Sequence, residues 1–250
     1  MKLGFSTLSL FMKSFDEICQ IATDNGFEII ELLSEGPYNP KNLLNNKKFL
    51  EPLFSYNLDI YIHGPSVDLN LASLNEGIRK ESIKQIKETI DLASFIDADF
   101  ITIHPGHVGR FEKRIKDIAT SYSIESIKEC IDYSNDFNVG ISVENMPYKK
   151  KFLGTTPKEL ETIAKKSNSY LTIDTGHANT CLDTEEFFNL KNISYFHLND
   201  NNGIKDQHLV LGEGTLDLNL LKKVKCGIIE LNDFRNVLKS KKVIESILTN

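Results

Sequence analysis

Eight short β-rich runs alternate along this chain with longer amphipathic stretches, and that alternation constrains its fold more than any other feature. The runs lie at Lys2–Thr7, Phe27–Leu32, Leu58–His63, Phe100–His104, Val139–Glu144, Tyr170–Asp174, Ile193–His197 and Cys226–Leu231. Between them apolar residues recur at helical spacing, most clearly from Asn75 to Ile96. There Ile83, Ile86, Ile90 and Ala93 share a face, while Lys80, Lys84, Lys87 and Glu88 fall largely elsewhere. Strand–helix alternation over a whole domain implies parallel strands joined by right-handed crossovers. Eight such units predict closure into a single (β/α)8 barrel, and 250 residues is a typical length for one. The competing architecture is an open, doubly wound sheet, but its phosphate-binding turn is missing. No GxGxxG follows the first strand and no GxxxxGK[ST] occurs anywhere. Gly212-Glu213-Gly214 is too short for either and is expected to shape a loop. Nothing resembles a linker, so one domain over residues 1–250 is expected.

Most of the runs finish on a residue that binds metals. In chain order the candidates are His63, His104, Glu144, Asp174, His177, His197, Asp206, His208 and Glu230. Strands that deliver such groups at their C-terminal ends are how a barrel builds an active site. Neutral imidazole with carboxylate oxygen suits zinc or manganese, and a bridging carboxylate relieves the repulsion between neighbouring cations. Nine ligands exceed what one ion uses. Taken singly, each has a simpler explanation. A lone histidine at a strand end usually packs or forms a hydrogen bond, and the turns at His63-Gly64-Pro65 and His104-Pro105-Gly106 need no metal. Glu144 could cap the next helix, and Glu230 could pair with a base. Six strand ends carrying this chemistry on one rim are not explained that way. His107, the remaining histidine, lacks such support and is expected to be a loop residue beside the ligands.

Hydrophobic residues make up 40% of the chain and charged residues 26%, enough for a sizeable buried core. The formal net charge of −6 gives no general attraction to nucleic acid or an anionic membrane, although bound divalent ions would add positive charge locally. Cys19, Cys130, Cys181 and Cys226 lie far apart with no CxxC spacing, which predicts reduced thiols and a cytoplasmic protein. The opening MKLGFSTLSLF is broken by Ser and Thr, unlike a secretory signal, and no stretch is long enough to span a membrane.

Five segments carry a family resemblance: His104-Pro105-Gly106, Glu144-Asn145, Asp174-Thr175-Gly176-His177, His197-Leu198-Asn199-Asp200, and DQHLVLGEGTLD at Asp206–Asp217. In this order they resemble the xylose isomerase-like TIM-barrel superfamily (AP endonuclease family 2), which includes endonuclease IV and many sugar isomerases and epimerases. The resemblance to endonuclease IV implies three zinc ions. His63, His104 and Glu144 would hold the first; Glu144, Asp174, His197 and Glu230 the second; His177, Asp206 and His208 the third. It implies phosphoester hydrolysis with Glu144 and Glu230 as catalytic groups, Glu230 orienting or deprotonating the nucleophile, and abasic sites in damaged DNA as a candidate substrate.

The isomerase and epimerase branch implies something else. One Mn2+, Mg2+ or Co2+ would sit on Glu144, Asp174, His197 and Glu230. Glu144 and Glu230 would move a proton at a carbon of a sugar or sugar phosphate, and His177 would contact its oxygens. Departures from endonuclease IV include Phe5-Ser6-Thr7 without a histidine, LLSEGPYNP without arginine, and Ser66-Val67 where bulky duplex-probing residues are expected. Rim cations are few: Arg110, Lys149–Lys151, expected to be a solvated loop, and Lys205. FEIIEL at Phe27–Leu32 is closer to the isomerase members, with Glu31 expected to face the pocket. A barrel kept only as a binding module is the non-enzymatic alternative, against which the intact ligand set argues.

Overall fold

The computed structural model describes residues 1–110 and 112–249. Strands β1 (Lys2–Ser6), β2 (Ile29–Leu33), β3 (Asp59–His63), β4 (Phe100–Ile103), β5 (Gly140–Glu144), β6 (Tyr170–Asp174), β7 (Ile193–Leu198) and β8 (Cys226–Ile229) pair in sequence order. All neighbours are parallel, and β8 pairs with β1 to close the barrel. The helices are α1 (Phe15–Asp24), α2 (Pro40–Asn45), α3 (Glu76–Phe95), α4 (Lys113–Ser134), α5 (Pro157–Ser167), α6 (Thr175–Asn179), α7 (Thr184–Phe187) and α8 (Phe234–Thr249).

Local chemistry sets the helix ends. The stretch predicted from Asn75 to Ile96 is α3 with its two caps, and the Asn75 side chain accepts hydrogen bonds from the Gly77 and Ile78 amides. A reciprocal capping box between Ser14 and Glu17 starts α1. Thr156 and Pro157 open α5, and left-handed Asn168 closes it. Only β6 keeps its expected bounds; β3, β5 and β7 shift by one residue at one end, and the other four differ for local reasons. β1 stops at Ser6 because the Ser6 side chain caps a 3-10 turn over Thr7–Leu10. β2 begins at Ile29, since the Phe27 amide turns back to Ala22. β4 and β8 end one residue before His104 and two before Leu231, so His104 and Glu230 stand just beyond their strands.

Alternation along each strand divides the side chains between two cores. Phe5, Ile30, Leu32, Ile62, Ile101, Val143, Ile173 and Leu198 join helix residues such as Ile18, Ile90, Ile127 and Ile163 in the layer between sheet and helices. Ile29, Tyr61, Tyr195 and Ile228 form a separate cluster inside the barrel. Gly4 makes room for that cluster: a Cβ there would sit 2.5 Å from the Ile29 carbonyl oxygen and 2.8 Å from Ile228 Cδ1. His63, Glu144, Asp174 and His197 lie two residues beyond Tyr61, Ser142, Thr172 and Tyr195 on the same inward face, at the C-terminal rim. Cys19, Cys130, Cys181 and Cys226 are free thiols. Among the described residues, no helix is long and apolar enough to cross a membrane.

Candidate metal centre

The fold brings all nine predicted ligand-type residues to one rim, in three groups. His63, His104 and Glu144 form the first, Glu144, Asp174, His197 and Glu230 the second, and His177, Asp206 and His208 the third. Within each group one atom per residue lies within 4.8 Å of every other, a spacing that one ion could bridge. Glu144 belongs to two groups. Its Oε2 is 3.4 Å from His63 Nε2 and 3.0 Å from His104 Nε2, while its Oε1 is 2.8 Å from His197 Nδ1. A cavity of about 280 Å3 opens over the groups, with Leu8, Leu33, Met146, Pro147 and Phe152 among its walls.

The hydrogen bonds fix which imidazole nitrogens face inward. His63 Nδ1 donates to the Gly64 carbonyl at 2.9 Å, His177 Nδ1 to the Asn145 carbonyl at 2.8 Å, and His208 Nδ1 to the Glu230 carbonyl at 2.9 Å. A carbonyl only accepts, so each Nδ1 carries a proton and each Nε2 can offer its lone pair. Those Nε2 atoms point at carboxylates: His177 Nε2 is 3.2 Å from Asp206 Oδ2, and His208 Nε2 is 3.5 Å from Asp206 Oδ1. With the facing imidazole nitrogens unprotonated, the buried Glu144 Oε2 and Asp206 Oδ1 have no hydrogen-bond donor. Lone pair facing lone pair in a buried site is unstable unless a cation lies between them. The donor set therefore fits divalent metal, with the protonated imidazoles as its metal-free substitute.

The electrostatics follow the same geometry. Burial alone would raise Glu144, but the charge of His197 and hydrogen bonds from His104, His197 and His63 hold it well below the usual carboxylate range. Burial opposes the charged form of His63, yet the Glu144 hydrogen bond and charge lift it to about 9. Asp174 and Asp206 similarly override burial and lift His177 to about 10, and the Asp206 bond and Glu230 charge lift His208 to about 10. Asp174 moves the other way from a simple ion pair. Burial and the neighbouring carboxylates Glu144, Glu230 and Asp206 outweigh His177 and raise it to about 6.

Several residues that hold these groups in place have no role assigned from the sequence. Asp174 Oδ1 accepts from the His177 amide at 2.6 Å, and Oδ2 accepts from Asn199 Nδ2 at 2.7 Å. Asn145 clamps the Asp174 backbone, its Oδ1 accepting from the amide at 2.7 Å and its Nδ2 donating to the carbonyl at 3.0 Å. Asp200 accepts four backbone N–H groups, from Asn201, Gly212, Gly214 and Leu216, and so shapes the loop carrying Asp206 and His208. A Cβ on Gly214 would fall 2.2 Å from the Asn201 carbonyl oxygen, and Gly212 adopts φ of +88°, so each position needs glycine for its own reason. The expectation for Glu31 is corrected: it lies beneath the pocket, fully buried, and contacts His197 from below. His107 is a loop residue whose ring meets Phe152 edge-on, outside the three groups. Lys149, Lys150 and Lys151 are exposed.

The family model of the xylose isomerase-like TIM barrel matches residues 19–244. An uncharacterized protein of Methanocaldococcus jannaschii is 31% identical over 265 residues, spanning 99% of this chain and 89% of its own. A probable endonuclease 4 of Thermoplasma volcanium is 28% identical over 197 residues, 71% of this chain and 66% of its own. Among solved structures, a D-tagatose 3-epimerase-like protein superimposes with a TM-score of 0.87 at 31% identity, covering 100% of this chain and 97% of the other.

Proposed function

The chain belongs to the xylose isomerase-like TIM barrel family, and from that premise we propose that it is a divalent-metal-dependent phosphoester hydrolase of the endonuclease IV type. The observation that carries this reading is the third group. His177, Asp206 and His208 converge with lone pairs facing inward, beside two further groups that share Glu144. Proton transfer at a sugar carbon needs one ion and two carboxylates; displacement at phosphorus uses charge on both the attacking and the leaving oxygen. In this reading the three groups hold zinc. Bound ions would neutralise the phosphate and make water acidic enough to supply a nucleophile at neutral pH.

The chain's own residues have separable tasks. Glu144 links the first and second groups. Asp174, fixed by Asn145, Asn199 and the His177 amide, holds its carboxylate at one angle. Glu230 has an oxygen 3.4 Å from His197 Nδ1 and lines the cavity, where it can orient the attacking water and take its proton. Lys149 also lines the cavity and supplies a cation near the phosphate. Of the candidate rim cations it is the one lining this cavity, and the chain carries net negative charge, which favours a short or small phosphodiester over extensive duplex contacts. Abasic sites in DNA remain the first macromolecular substrate to assay.

One observation favours a second reading. The 31% identical structure is that of a D-tagatose 3-epimerase-like protein, and Glu144 and Glu230 share one group, as two-carboxylate epimerisation requires. The zinc-loaded chain should hydrolyse bis(p-nitrophenyl) phosphate or an abasic duplex. His208→Ala should then lower kcat/KM at least about 100-fold, about 3 kcal/mol of transition-state stabilisation. No hydrolysis, together with metal-dependent exchange of a carbon-bound hydrogen of a ketose with solvent deuterium, would establish the epimerase instead.

A further inference from the structure

We propose that Glu31 is a positioning residue for His197: it selects which imidazole nitrogen faces the metal and makes that nitrogen a stronger ligand. The inference rests on the metal reading above. Among the described residues, His63, His177 and His208 each give Nδ1 to a backbone carbonyl and turn Nε2 inward. His197 is inverted. Its Nδ1 points to Glu144 Oε1 at 2.8 Å and Glu230 Oε2 at 3.4 Å, and its Nε2 is 2.9 Å from Glu31 Oε1. An Nε2–H donated to Glu31 leaves the Nδ1 lone pair on the metal side. A carboxylate behind a ligating imidazole fixes its tautomer and orientation and raises its basicity, which a carbonyl does less strongly.

The surroundings are arranged to hold this carboxylate in place. Tyr195 donates to the same Glu31 oxygen at 2.8 Å, and its hydroxyl also contacts Thr102 Oγ1. From Thr102 a run of hydroxyls crosses the barrel interior: Thr102 to Thr172 at 2.6 Å, Thr172 to Ser142 at 2.8 Å, and Ser142 to Ser194 at 2.6 Å. Four strands thus contribute to a polar band that ends on Glu31, directly below the ligand layer. Structure alone does not explain the carboxylate. Both Glu31 and His197 are fully buried, and Glu31 Oε2 has no hydrogen-bond partner, a burial cost that an apolar residue would avoid.

The test uses the full-length chain with histidine 15N-labelled and zinc added. In the wild type, long-range 1H–15N correlation should show His197 bound through Nδ1 with a strongly downfield Nε2–H. Glu31→Gln, which keeps size and one acceptor, should move that proton upfield. Glu31→Leu should also weaken the second zinc about 10–100-fold by chelator competition, leaving the third-group ion unchanged. Should Glu31→Leu fail to fold, Glu31→Gln and Tyr195→Phe decide the matter by the same proton shift and zinc competition. Unchanged His197 resonances and zinc affinity in folded variants would overturn the role of Glu31. A wild-type chain that takes up no zinc would instead overturn the metal reading.

Discussion

At the scale of single residues, the site is a set of acceptors waiting for positive charge. Glu144, Asp174, Asp206 and Glu230 lie among five imidazoles, and the local hydrogen bonds turn lone pairs toward one another. The metal-free chain must answer with protons. His63 is lifted to about 9, and His177 and His208 to about 10, by their carboxylate neighbours. Raised imidazole pKa values mean that the folded chain binds these protons more tightly than the unfolded one. The stability so gained is complete below about pH 6.5, the ordinary histidine value, and is lost as pH rises through about 9 to 10. Metal must displace those protons, so zinc binding should release them and tighten as pH rises. Calorimetry at pH 7.5 in buffers of different ionisation enthalpy should record net proton release. Zero release would mean that the imidazoles do not ligate.

At the scale of elements, the strand ends deliver six of the nine groups and the loop after β7 delivers two more. The ligand types were legible because a strand keeps alternate residues on one face, so a histidine or carboxylate closing an apolar run lands on the barrel rim. The positioning roles of Asn145, Asn199 and Asp200 are not legible in the sequence, since most of their partners (the Asp174 backbone, the Asp174 carboxylate, and the Gly212, Gly214 and Leu216 amides) are brought to them by the fold. The expectation that Glu31 faces the pocket fails for a related reason. Alternation gives the inward face but not the layer, and the β2–β3 register sets Glu31 opposite Tyr61, one layer below His63. The loop makes its own prediction. Asp200→Ala would leave four backbone N–H groups without their acceptor, destabilise the chain by about 3 kcal/mol, and empty the third group of metal while touching no ligand. Denaturant unfolding and metal analysis would check it; retention of every ion would show that Asp200 does not hold the loop.

At the scale of the whole molecule, the barrel separates stability from chemistry. The sheet–helix layer carries most of the apolar packing, while the interior below the ligands is partly polar, with Thr102, Ser142, Thr172 and Tyr195 supporting the rim from beneath. Eight alternating strand–helix units made the closed barrel readable, because few other arrangements satisfy parallel strands with right-handed crossovers. The reaction was less readable: hydrolase and epimerase members of this family share Glu144, Asp174, His197 and Glu230 in the resemblance read from the sequence, and what separates them is whether the other five groups also hold metal. The most direct test is elemental analysis of metal per chain, on protein purified without chelator and supplied with zinc. Three zinc ions per chain are expected, falling to two in Asp206→Ala. A single ion, unaffected by Asp206→Ala, would contradict a three-ion centre.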